Sequence, residues 1–121
     1  MPSPTQILLV DNDAVTMQKV SHLSVDVAVV TVARTGQAAL QHFPGRHFDL
    51  ALISVALPDM SGVTLSAALA QLQPTMRRIL LTNGEEFDEL TDCLERFGVS
   101  GLLLRPIAAE GILEEITLSA A

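Results

Sequence analysis

The side chains able to do chemistry fall in four short clusters, each directly after an apolar run. They are Asp11-Asn12-Asp13, Ser54, Thr82-Asn83-Gly84 and Arg105-Pro106. Asp11 and Arg105 carry opposite charges and form a natural ion pair, and Asp13 is placed to cap a helix. Ser54 offers a neutral hydroxyl, a weak nucleophile without a base to take its proton. The nearest histidines in sequence, His42 and His47, precede the run that Ser54 closes, which puts them at the opposite end of it. Thr82 suits a strand-end hydroxyl bonded to backbone. His22, His42 and His47 sit on separate elements without ligand spacing, which argues against a metal cluster. Cys93 has acidic neighbours in Asp92 and Glu95, which disfavour the thiolate a nucleophile needs. Neither G-x-G-x-x-G nor G-x-x-x-x-G-K occurs, which weakens a nucleotide reading.

The elements that must position these clusters alternate in period. Ile7-Leu8-Leu9-Val10 is a continuous apolar run, the pattern of a strand buried on both faces. A helix is expected from Asp13 to His22, with Val15, Val20 and Leu23 on its apolar stripe. Val27 to Val32 reads as a strand and Thr35 to Phe43 as a helix stopped by Pro44-Gly45. Asp49 to Ser54 reads as a strand, and Ser61-Gly62 opens a helix that runs to Leu72. Arg77-Arg78 lead into the strand Ile79-Leu80-Leu81-Thr82, followed by a helix from Glu86 to Phe97. That helix carries Phe87, Leu90, Leu94 and Phe97 on one stripe and ends at Gly98. Leu102-Leu103-Leu104 and Ala108 to Leu118 supply the last strand and helix. Continuous apolar strands separated by helices predict an α/β doubly wound parallel sheet covered on both faces. Such sheets place their sites outside the carboxyl ends of the strands, where all four clusters lie.

Composition narrows the function. The 121 residues suit one domain, 1–121, and 49% of them are hydrophobic against 17% charged, which excludes global disorder. Fourteen acids against seven bases leave a net charge of -7, with Lys19 the sole lysine. Nucleic-acid surfaces need clustered Lys and Arg to displace phosphate counterions, so direct DNA or RNA binding is not expected. No apolar run approaches the roughly 20 residues that span a bilayer. One cysteine, no basic leader and no such run point to the cytoplasm.

Four blocks together resemble the receiver domain of bacterial response regulators, the CheY-like family of two-component and phosphorelay signalling. They are Ile7-Leu8-Leu9-Val10-Asp11-Asn12-Asp13, the stretch Asp49-Leu50-Ala51-Leu52-Ile53-Ser54-Val55-Ala56-Leu57-Pro58-Asp59-Met60-Ser61-Gly62, Arg78-Ile79-Leu80-Leu81-Thr82, and Gly101-Leu102-Leu103-Leu104-Arg105-Pro106. The resemblance implies a five-stranded flavodoxin-like sandwich with strand order 2-1-3-4-5 and a cis peptide before Pro106. It also implies positions for a phosphorylation site. The acid pair that holds Mg²⁺ falls on Asp11 and Asn12, with Ala56 completing the metal positions. The phosphoacceptor falls on Ser54, the phosphate-holding Thr and Lys on Thr82 and Arg105, and the aromatic switch on Leu102.

Only Asp11 and Thr82 keep the residue type that the resemblance implies. A serine ester is not the acyl phosphate a carboxylate forms, and one carboxylate beside a fixed guanidinium is a poor magnesium site. No cofactor is therefore expected, and the chain reads as a phosphorylation-independent receiver that acts through a protein partner or output domain, not as an enzyme. Two alternatives are a receiver phosphorylated at a surrogate carboxylate, Asp59 or Asp13, and a small-ligand-binding flavodoxin-like domain. Flavin itself is disfavoured, since the chain has no Tyr or Trp and no hydroxyl- and glycine-rich loop after the first strand. A candidate partner face carries Glu86, Glu89 and Leu102, with Glu85, Asp88, Asp92, Glu95, Glu110, Glu114 and Glu115 around it. A two-fold axis would set these acids against their own copies, so a homodimer through this face is disfavoured.

Overall fold

Each apolar run becomes a strand of one parallel sheet. In the computed structural model, which describes residues 4–23, 27–85 and 87–120, the strands are β1 (Thr5–Val10), β2 (Ala28–Ala33), β3 (Leu50–Ser54), β4 (Arg77–Thr82) and β5 (Gly101–Leu104). They alternate with α1 (Ala14–Leu23), α2 (Gly36–His42), α3 (Gly62–Leu72), α4 (Phe87–Arg96) and α5 (Ala109–Ala120). The order across the sheet is β2-β1-β3-β4-β5, the doubly wound arrangement. Glu86 and the side chains of Phe87 and Cys93 lie outside the described residues.

Burial on both faces explains why the strands read as unbroken apolar runs. Leu8, Val10, Ala51, Ile53 and Leu80 face one core cluster with Ala39, Leu65, Leu69 and Leu90. Their neighbours Ile7, Leu9, Leu50, Leu52, Ile79 and Leu81 face a second one with Val20, Ile112 and Ile116. Each such side chain contributes about 1.5–3 kcal/mol on burial. The helices start where short polar side chains satisfy free N–H groups. Thr35 Oγ1 accepts from Ala38 N at 3.0 Å, and Ser61 Oγ accepts from Val63 N at 3.1 Å.

Three expectations about the elements need correction. Phe97 is not on a buried stripe of α4; it follows the last residue of the helix and is 40% exposed. Val15 is not on the buried stripe of α1; it is 65% exposed, while Thr16 and Val20 turn inward. The buried stripe of α1 begins with a hydroxyl, and apolar spacing alone gives no sign of it. Arg78 does more than lead into a strand: it sits within β4 and is buried. Its guanidinium donates to Ser66 O and Oγ, both at 3.0 Å, and to Gly98 O at 2.7 Å. Burial holds its pKa below the ordinary arginine value. The cation thereby ties α3 to the end of α4 through acceptors that carry only partial charge.

The β3–α3 connection is tight and strapped down. A Cβ on Gly62 would lie 2.0 Å from Ser54 O, so only glycine fits there. Asp59 reaches across to α2, and its two carboxylate oxygens accept from Gly36 N and Gln37 N, each at 2.9 Å. The bond from Gly36 N, then that from Gln37 N, holds the Asp59 carboxyl below its usual pKa. A depressed folded pKa stabilises above the ordinary carboxylate value, about 4. That contribution is lost as pH falls through the lower folded value. Asp59→Ala is therefore expected to lower the urea midpoint at neutral pH and to approach wild type in strong acid. Equal differences at both pH values would show that the strap adds nothing.

Candidate functional site

The carboxyl ends of β1, β3, β4 and β5 bring Asp11, Ser54, Thr82 and Arg105 to one edge of the sheet. Arg105 N donates to Thr82 O at 2.8 Å, which extends the β4–β5 ladder and fixes where the guanidinium starts. The Arg105–Pro106 peptide is cis. From there Arg105 Nη2 reaches Asp11 Oδ1 at 2.9 Å, and Nη1 reaches Thr16 Oγ1 at 2.7 Å. Thr16 Oγ1 passes its own proton to Asp13 Oδ2 at 2.7 Å. Asp13 Oδ2 also lies 3.5 Å from Arg105 Nη1.

Asp13 is expected outside the Asp11 pair, as a helix cap or a surrogate acceptor. The structure brings it inside the network, and brings in Thr16, which the sequence reading missed. The signal was present in the spacing, since a hydroxyl three residues after an N-cap faces the cap. The Thr16 hydroxyl bond, more than the Arg105 charge, holds the Asp13 carboxyl below its usual pKa.

Asp11 is the buried member of this group. Its Oδ1 accepts from Asn12 N at 2.8 Å and Asp13 N at 3.3 Å as well as from Arg105, while Oδ2 has no partner among the described residues. Asn12 is exposed. Ser54 is buried, and its hydroxyl donates to Ala56 O at 3.2 Å. Thr82 Oγ1 accepts from Gly84 N at 3.0 Å and turns the β4–α4 loop. A cleft of about 430 Å³ opens beside them, with Ser54, Ala56, Thr82, Asn83 and Arg105 in its wall. The surrogate carboxylates are both engaged, Asp13 by Thr16 and Arg105, Asp59 by the start of α2.

The partner face also changes in detail. Glu89 is exposed, while Glu86 lies outside the described residues. Glu115 is not free, because Arg77 Nη2 donates to it at 2.5 Å and latches α5 to β4. Leu102, expected as an apolar centre of the face, packs against the core with Leu94. The exposed leucine of β5 is Leu104, at 50%. Leu104 points to the same side of the strand two residues further on.

Arg105 and Asp11 together form a largely buried ion pair, with side-chain exposures of 17% and 3%. Removing one member strands the other, at a cost of about 3–5 kcal/mol. Arg105→Ala alone should therefore destabilise strongly, while adding Asp11→Asn should recover a large part of the loss. A double-mutant cycle by chemical denaturation measures this, and additive losses would mean that the pair is not coupled.

Comparison with known proteins agrees with this geometry. The sequence matches the response regulator receiver domain over residues 7–117. Aerobic respiration control sensor protein ArcB of Escherichia coli is 44% identical over 45 residues, 37% of this chain and 6% of ArcB. The chain thus corresponds to a small part of that sensor. Chemotaxis protein CheY of Bacillus subtilis is 24% identical over 113 residues, 92% of this chain and 93% of CheY. The signal receiver domain of an HD domain-containing protein from Pseudomonas fluorescens Pf-5 has a TM-score of 0.87 at 28% identity, covering 99% of this chain and 88% of that one. With the sheet order, the carboxyl-edge site and this match in hand, the chain belongs to the response regulator receiver domain family.

Proposed function

We propose that this receiver works in two-component signalling without accepting a phosphoryl group at Ser54 and without Mg²⁺. On this reading it is a non-enzymatic cytoplasmic module that passes information by protein contact. The observation that carries the reading is the Arg105 clamp. Its guanidinium neutralises the buried carboxylate of Asp11 and holds Thr16 and Asp13 in one network.

The chemistry follows from the neighbours of each group. Ser54 donates its proton to a carbonyl, Ala56 O, and a carbonyl is not a base. Mg²⁺ asks for a near-octahedral set of oxygens and gives up its water reluctantly. Here Asp11 Oδ1 is occupied by three N–H donors, Ala56 O accepts from Ser54 and Asn12 is neutral, which leaves Asp11 Oδ2 as one free carboxylate oxygen beside a fixed guanidinium. The donor set does not fit the ion. The cleft beside Ser54 favours a second reading, a receiver that binds a small ligand, and a bound compound in the purified protein would support it.

The acidic side of the molecule is the proposed contact face. Asp88, Glu89, Asp92 and Glu95 are exposed on α4, Glu110 and Glu114 on α5, and Leu104 on β5. A partner there should be basic with an apolar residue for Leu104, and its binding should weaken above physiological salt as charges are screened. The like charges of a second copy oppose a homodimer on this face.

Incubation with a small acyl-phosphate donor and Mg²⁺ is expected to leave the intact mass unchanged. A single phosphate adduct that Ser54→Ala removes would overturn the reading. The triple variant Asn12→Asp, Ser54→Asp, Arg105→Lys is expected to gain saturable Mg²⁺-dependent shifts at the amides of residues 11–13 and 54–56. A folded triple variant that ignores Mg²⁺ would mean that these residues do not occupy the positions assigned to them.

A further inference from the structure

We propose that the free edge of β2 docks an extended, acidic segment of a protein partner as an added strand. The sheet order leaves β2 outermost, at the edge opposite β5. The carbonyls of Val27 and Ala33 accept from Thr5 N at 3.3 Å and Asp11 N at 3.1 Å. Parallel pairing alternates, so the N–H and C=O groups of Ala28, Val30 and Val32 point away from β1. Among the described residues no strand pairs with them.

The flanks of this edge are also open. Val29 is 45% exposed and Val32 is 36% exposed, and the two lie on opposite faces of the strand. The strand itself, Ala-Val-Val-Thr-Val-Ala, holds no proline and no charge, the usual devices that block pairing.

Charge selects the occupant. Arg46 Nη2 donates to Thr31 Oγ1 at 2.9 Å, and its guanidinium stacks 4.9 Å above the Phe48 ring. This fixes a cation beside the middle of the strand. Arg34 follows the strand directly, is exposed, and has no ion-pair partner among the described residues. Two described carboxylates on this side are engaged, Asp49 by Gln6 N and His47, and Asp59 by Gly36 N and Gln37 N; Asp26, which precedes the strand, lies outside the described residues. Among the described residues these two cations flank the unpaired strand. A second copy offering its own β2 would set Arg34 and Arg46 against like charges, whereas an acidic strand meets both cations and the open backbone.

The test uses a capped hexapeptide of alternating Val and Glu, with a Val and Lys version as control. The acidic peptide should slow hydrogen exchange at the amides of Ala28, Val30 and Val32 and shift resonances along β2. Arg34→Glu and Arg46→Glu should each weaken it, and together by at least about tenfold, as should high salt. Arg34 makes no side-chain hydrogen bond or ion pair among the described residues, and the melting temperature of that variant separates lost binding from lost folding. No saturable binding, or equal binding of the lysine peptide, overturns the proposal. So does concentration-dependent self-association by sedimentation that Arg34→Glu abolishes, since that assigns the edge to another copy of this chain.

Discussion

The carboxyl edge of this sheet is organised by one constraint: Asp11 is buried and must be compensated. A carboxylate removed from water is costly unless a cation or several donors face it. Arg105 supplies the cation from across the sheet, and the N–H groups of Asn12 and Asp13 supply donors. Because the guanidinium fork is planar and carries several donors, it reaches Thr16 at the same time. The β1–α1 connection, the first turn of α1 and the β5–α5 connection are thus held by one side chain. Lys19 adds a second tie between the same elements, donating to Ile107 O at 2.7 Å.

The frame around the pair is set by backbone contacts. Thr82 O and Arg105 N continue the ladder, Gly62 lets α3 start against Ser54, and Thr82 Oγ1 turns the next loop. These are backbone requirements, and they persist whatever side chain stands at position 54. A receiver fold can therefore keep its shape while the chemistry at the strand ends is exchanged.

The fold was legible because burial on two faces writes an unambiguous pattern, and the helix starts at Thr35 and Ser61 announce themselves by residue type. The site was legible only in part. The strand-end positions of Asp11, Ser54, Thr82 and Arg105 follow from a parallel sheet, but which groups touch does not. Thr16 and Asp13 joined the network through an i, i+3 contact that apolar spacing hides. Arg78 reads as a polar lead-in because a buried arginine is rare. Its acceptors, Ser66 and Gly98, are distant in sequence and uncharged. Leu102 and Leu104 are indistinguishable in a run of three leucines; the distinction lies in how far α4 extends along the strand.

The same sheet order that builds the site also separates charge. With β2 at one edge and β5 at the other, the acids of α4 and α5 gather beside β5, while Arg34 and Arg46 remain beside β2. The bases near the acidic side are partly consumed by internal contacts, Arg77 by Glu115 and Arg78 by carbonyls. Exposed charge on that side is therefore mostly negative, with Arg96 at the end of α4 as an exposed base among the acids, and its field reaches about 8 Å at physiological salt. The β2 edge lies across the width of the sheet, with neighbouring strands about 4.8 Å apart. Four strand spacings exceed two screening lengths, so each edge presents its own sign to a partner. A single small sheet thereby keeps its two clusters of charge electrostatically independent.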